Sequence, residues 1–220
     1  MPQYYTVVQG DYLAKIAARF GFSDGKIIWN HPDNSDLRKR RSNPNVLFPG
    51  DRLFIPDPTP KTFFVSTEAR HPFVRKGAPL RLVLILENLY ADPRANLECE
   101  LILDGRSVPK TTDDKGRLEE RIGPDAEEGY LIAQVPESAP QRVIVPLRIG
   151  HLDPVETRTG QSARLDNLGY FAGPREGAGA EENERRFRSA VEEFQCDHGL
   201  QVDGVCGEKT QTKLREVHGC

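Results

Sequence analysis

The spacing of apolar positions changes character three times along the chain. Tyr5-Thr6-Val7-Val8 is a short β-favouring run that ends at Gly10-Asp11. Leu13, Ile16, Ala17 and Phe20 then recur at intervals of three and four, which predicts a helix with one inward stripe, stopped by Gly21. A second short helix can start at Ser23 or Asp24 as N-cap and run through Ile27, Ile28 and Trp29 to the break at Pro32. Pro49-Gly50 turns the chain into a second strand through Leu53 and Ile55. The first quarter therefore reads strand, helix, helix, strand.

Asp57-Pro58-Thr59-Pro60 is an extended linker, because alternate prolines cannot continue a strand ladder. Beyond Thr62 the period becomes two. Leu80, Leu82, Leu84 and Leu86 alternate with Arg81, Val83 and Ile85; Leu97, Cys99, Leu101 and Leu103 alternate with Glu98, Glu100 and Ile102 up to Asp104-Gly105. Phe63 to Ser66, Leu118 to Ile122, Tyr130 to Val135 and Arg142 to Ile149 are further strands, separated by turn residues, and together they predict a small antiparallel sandwich. The last segment returns to helical spacing. Ala163 to Leu168 ends in a glycine cap at Gly169, and Phe187, Ala190, Val191 and Phe194 repeat on one face up to Gly199. A final helix carries Leu214 and Val217, completing a three-helix bundle. The chain is thus expected to be a multidomain α+β protein with segments 1–57, 58–150 and 151–220.

With 220 residues and a net charge of −3, the chain has room for three small domains, and its mixed signs give no pointer to nucleic acid. No apolar run is long enough to span a bilayer. The first strand follows Met1 so closely that no signal peptide is expected, which implies cytoplasmic synthesis and, for any action at a wall or in a periplasm, delivery by a secretion or tail-like system. Cys99 stands apart from Cys196, Cys206 and Cys220; this is no disulfide framework but ordinary thiols or one late disulfide, and with His198 and His218 the spacings match no common zinc pattern, so neither metal nor other cofactor is expected.

The run Gly10-Asp11-Tyr12-Leu13, then Ile16-Ala17, and finally Pro49-Gly50-Asp51-Arg52-Leu53-Phe54-Ile55-Pro56 resembles the LysM module. The resemblance implies binding of β-linked N-acetylglucosamine polymers, peptidoglycan or chitin, by two adjacent loops. Here these are Gly10, Asp11, Tyr12 and Leu13, and Asn45, Val46 and Leu47. Backbone amides and carbonyls would meet the N-acetyl groups over an apolar floor. Leu13 also begins the helix stripe, and Tyr12 is either a surface aromatic or a stacking platform. Trp29 reads more simply as core than as a carbohydrate platform. Asn30 to Asn45 is longer than in most members of that family and carries Arg38-Lys39-Arg40-Arg41, a solvated face whose functional reading is attraction to wall carboxylates or an acidic partner.

Asn88 to Ile122 is weakly similar to the transthyretin-like pattern. Nothing in the middle segment makes a catalytic set; Glu98 and Glu100 share a strand face and could in principle serve as acid and base, but such pairs are usually a polar face. At the C-terminal end, Leu165-x-x-Leu168-Gly169-Tyr170, Ala190-Val191-x-x-Phe194-Gln195 and Gly199-Leu200-x-x-Asp203-Gly204-x-x-Gly207-x-x-Thr210 resemble the three-helix peptidoglycan-binding domain. That resemblance implies contacts from Tyr170, Asp203, Gly204, Gly207 and Thr210. The first copy of the turn, Arg175 to Glu182, keeps glycines but lacks the Asp and Thr. The whole then reads as a non-catalytic wall-binding protein whose partner is peptidoglycan or another N-acetylglucosamine polymer. The alternative is an adaptor of a type VI secretion or contractile tail-like particle, with spike proteins as partners.

Overall fold

The computed structural model describes residues 1–59, 62, 64–72, 80–88, 90–135 and 141–220. They fall into two compact units, Met1–Asn45 with Pro49–Gly150, and Val46–Phe48 with His151–Cys220.

In the first unit β1 (Gln3–Thr6) pairs antiparallel with β2 (Arg52–Ile55), Tyr4 opposite Phe54. Between them lie α1 (Leu13–Arg19), α2 (Lys26–Trp29), a single 3₁₀ turn at Pro32–Asn34 and α3 (Ser35–Arg40). Leu13, Ile16 and Ala17 supply the buried stripe of α1, as their spacing predicts, and Ile28 and Leu53 are fully buried beside them. The long stretch after Trp29 contains the 3₁₀ turn and α3, followed by a loop from Arg41 to Asn45. Asn34 holds it in place, donating to the carbonyls of Ile28 and Phe54 at 2.8 and 2.9 Å and accepting the Phe54 N–H at 2.7 Å.

The basic run is absorbed largely into this scaffold. Arg38 donates to the carbonyls of Trp29 and His31, and Arg41 grips the buried Asp51 through two bonds of 2.8 and 3.1 Å. A charge-assisted bidentate pair on a carboxylate only 5 % exposed is worth far more than a solvated one. The guanidinium of Arg41 therefore ties the end of α3 to the turn before β2.

Two antiparallel sheets follow. β3 (Leu80–Ile85) pairs with β6 (Arg117–Ile122), and β4 (Glu98–Leu103), β5 (Arg106–Thr111), β7 (Glu128–Gln134) and β8 (Arg142–Arg148) form a sheet in the order β5-β4-β7-β8. Their facing sides share a core of Cys99, Leu101, Leu118, Leu131 and Ala133, against which Leu82, Leu84 and Leu86 pack. Strand β5 is absent from the hydrophobic pattern because Arg106 to Thr111 is mostly polar and contains Pro109, tolerable only on an edge. Asp104 and Gly105, at φ +47° and +79°, close the β4–β5 hairpin with the two positive values such a turn needs. Phe63 lies outside the described residues, and 64–66 form no strand.

The second unit contains α4 (Arg158–Asn167), α5 (Ala180–Asp197) and α6 (Glu208–His218). Leu165, Phe187, Ala190, Val191, Phe194 and Leu214 make its core, with Tyr170 and Leu200 against it. Helix α4 starts five residues ahead of Ala163 because Thr157 caps it, accepting the Gly160 N–H at 3.0 Å.

Candidate functional site

The first loop of the N-terminal module is built inward. Gly10 sits at φ +85°, in the left-handed region that turns β1 toward α1, and is buried. The Asp11 carboxylate, 2 % exposed, accepts from the Tyr5 hydroxyl at 2.7 Å and the Val8 N–H at 3.0 Å, so it pins the turn to β1 rather than capping α1. Tyr12 is 3 % exposed, and its hydroxyl donates to the carbonyl of Ala126, ahead of β7, at 3.1 Å. Gly150 lies against the same loop: a Cβ there would stand 2.7 Å from both the Gly10 oxygen and the Tyr12 ring. Lys15 and Glu127 add an ion pair at 2.7 Å. Desolvation, reinforced by the nearby charges of Asp125, Asp104 and Glu127, pushes the Tyr12 phenol up to about 12. The tyrosine expected at the mouth of a sugar groove is packed on the central sheets, with no open ring face.

Leu13 and Asn45 line one cavity of about 370 Å3, together with Ala17, Phe22, Ser23 and Asp24, and with Leu80, Ile122 and Pro124 from the central sheets. Val46 and Leu47 are buried, at 8 % and 4 % exposed, and do not line this cavity. Of the two predicted loops, then, one residue from each reaches a shared cavity, while Gly10, Asp11 and Tyr12 are covered.

In the second unit the Asp203-Gly204 turn is organised by Gln195, a residue 1 % exposed. Its side-chain oxygen accepts the N–H groups of Asp203 and Gly204 at 2.9 and 3.0 Å, and its amide nitrogen faces the Asp203 carboxylate, the Val205 carbonyl and the Thr210 hydroxyl at 2.9 to 3.0 Å. Asp203 also accepts the Val205 N–H, the largest cause of a carboxyl held below its ordinary range. Gly204 lies at φ +70°, where a Cβ would strike Arg188 and Glu192. Thr210 is buried in the first turn of α6, and Gly207 precedes that helix with no side-chain cap. Tyr170 packs edge-on against Phe194 and donates to Asp197 at 3.0 Å. Asp203, Gly204 and Thr210 therefore shape the turn. The altered turn has its own organiser in Asn183, which accepts the Arg175 N–H at 3.0 Å.

Gln195 was visible in the sequence only as a motif position, and Arg164 gave no signal. A fully buried arginine at the foot of the bundle, Arg164 donates to the carbonyls of Asp153 and Gly160 and to the Cys220 oxygen at 2.7 to 2.8 Å. Beside it, His218 stands 3.2 Å from the Cys220 thiol and 3.0 Å from the Asn167 amide, the outline of a thiol nucleophile, a base and an orienting group. The electrostatics run against that role. Burial, aided by Arg164, lowers His218 to about 4, and burial raises the Cys220 thiol. Both partners are thus held neutral where a nucleophile needs a thiolate beside an imidazolium. Glu98 and Glu100 line a shallow depression of about 500 Å3 with Pro109, Lys110 and Gln134, and Glu100 accepts from the Ser107 hydroxyl at 2.7 Å. Among the described residues no group of His, Cys, Asp and Glu is placed to hold a metal, and no helix is long and apolar enough to cross a membrane.

Comparison with known families completes the description of both ends. The model of the LysM domain matches residues 5–38, and that of a putative peptidoglycan binding domain matches residues 162–214. The chain carries a LysM domain and a peptidoglycan-binding domain. No curated protein and no solved structure matches it significantly. The LysM match stops within α3, short of Asn45, so the second wall of the cavity lies beyond the part that the family model recognises.

Two consequences are measurable. The raised Tyr12 pKa favours the neutral phenol in the fold, so its contribution is complete below the unfolded value near 10 and is lost as pH rises toward about 12. The melting temperature of the full chain should fall across that window, and the fall should be shallower in Tyr12→Phe. For the second unit, Gln195→Ala leaves the Asp203 and Gly204 amides unpaired and should cost about 1–3 kcal/mol in urea unfolding followed by circular dichroism; an unchanged midpoint would show that the turn holds itself.

Proposed function

We propose that this protein is a non-catalytic binder of bacterial peptidoglycan that uses its two end domains together. The observation that carries the reading is that two unrelated domain types, each a wall-binding module, match opposite ends of one chain. The geometry supports the LysM half: Leu13 and Asn45, from the two loops expected to hold N-acetylglucosamine, line one cavity. An apolar lining of Ala14, Ala18 and Pro44, over the buried Leu13 and Phe22, beside the polar Ser23, Asp24 and Asn45 suits a pyranose bearing an acetamido group, which offers both a methyl and hydrogen-bonding atoms.

The C-terminal half contributes through the turn before α6. Its first backbone N–H groups lack intrahelical acceptors and favour an anion such as the carboxylate of a peptide stem. Two modest sites on one chain raise the retention of a polymer that presents both ligands, through effective concentration. The place of action is then the cell wall. Assembly into a secretion-system or tail-like particle draws no support from either domain match, and wall binding is the reading advanced.

The full chain should co-sediment with purified insoluble peptidoglycan, release no reducing ends from it, and be displaced in part by soluble N-acetylglucosamine oligomers. Sedimentation insensitive to the oligomers, or steady release of reducing ends that survives repurification, would contradict this reading.

A further inference from the structure

The cavity that holds Leu13 and Asn45 is not made by the LysM domain alone. One side of it is Leu80, Ile122 and Pro124. Leu80 and Ile122 are register partners at the end of the β3–β6 pair, both half-buried, and Pro124 follows on the turn after β6. Three apolar residues of the central sheets thus close one side of the cavity that Leu13 and Asn45 line.

The neighbouring loop is closed by the same body. The Tyr12 hydroxyl is bonded to Ala126, only two residues beyond Pro124, and Gly150 sits on Gly10 and the Tyr12 ring. The Lys15–Glu127 pair lies along this contact. A glycan strand running through a groove needs an exit at each end, and the exit past Gly10 and Tyr12 is filled by residues 123–127 and Gly150. What remains is a cavity of about 370 Å3. That lies near the lower end of the range for small-ligand sites, about 300–1,000 Å3.

We infer that the central sheets convert the LysM site from a groove for the interior of a glycan strand into a pocket for a strand end or a short oligosaccharide. The inference rests on the sugar-binding reading above and names its substrate class more narrowly. Chemistry supports a terminal unit: an end sugar can rest its acetamido methyl and one ring face on the partly exposed Ala14, Ala18 and Pro44, with Asn45, Ser23 and Asp24 in reach of its polar atoms. An interior unit would have to carry its glycosidic bonds through the wall made by Leu80, Ile122 and Pro124.

The test is the dependence of affinity on chain length, measured by calorimetric titration of the full protein with N-acetylglucosamine oligomers from one to six units. Affinity should rise over the first units and then level, with less than a twofold gain per added sugar beyond the third. The variant Leu80→Ser/Ile122→Ser, checked for folding by circular dichroism, should restore a continuing rise, by removing the wall and not the LysM residues. If the double variant does not fold, Pro124→Ala, which trims the wall without touching a strand, serves the same purpose. A steady gain up to six units in the unaltered chain overturns the pocket while leaving sugar binding intact. Absence of binding at every length, with peptidoglycan still sedimenting the protein, removes the LysM sugar site and the pocket together but leaves wall binding to the C-terminal domain.

Discussion

The N-terminal half of this protein is arranged around one buried hydrogen bond, from the Tyr12 hydroxyl to the Ala126 carbonyl. A phenol can be buried at low cost only if its O–H finds an acceptor, and once it does, the ring adds a large apolar contact. That requirement fixes much else. Gly10 must turn the chain at positive φ to aim Tyr12 inward, Asp11 must hold the turn from behind, and Gly150 must lack a side chain where the loop passes. The small domain and the sheets accordingly behave as one compact unit, although Asp57-Pro58-Thr59-Pro60 reads as a boundary.

What could be read from the sequence and what could not divide along the range of the forces involved. The stripes of α1 and α5, the glycine stops and the leucine alternation of β3 and β4 are local patterns, and they appear where expected. Strand β5 is held by its neighbour β4 and not by its own composition, so Arg106 to Thr111 carries no signal. Helix α3 hides in a stretch whose arginines look solvated until Asp51, Trp29 and His31 are brought beside them. The candidate site follows the same rule. Leu13 and Asn45 were singled out by resemblance to a family and border one cavity, whereas the burial of Tyr12 comes from a partner distant in sequence. Gln195 shows the converse, since its motif position was plain and its structural role required the turn to be seen folded around it.

These arrangements give the two ends different manners of offering a site. The LysM domain borders a cavity whose far wall belongs to the sheets, so the shape of that cavity is a property of the composite and not of the module. In the C-terminal domain the polar residues of the turn before α6 are bonded internally to Gln195.

Hydrogen–deuterium exchange on the full chain, with and without an N-acetylglucosamine oligomer, reads the location of the sugar directly. The account predicts new protection in peptides covering Leu13 to Ala18, Ser23 to Lys26 and Asn45, with Gly10 to Tyr12 already slow to exchange and unchanged on binding. New protection at Gly10 to Tyr12, appearing only with the sugar, would contradict it, because it would show that the loop opens from Ala126 and Gly150 to take the ligand itself.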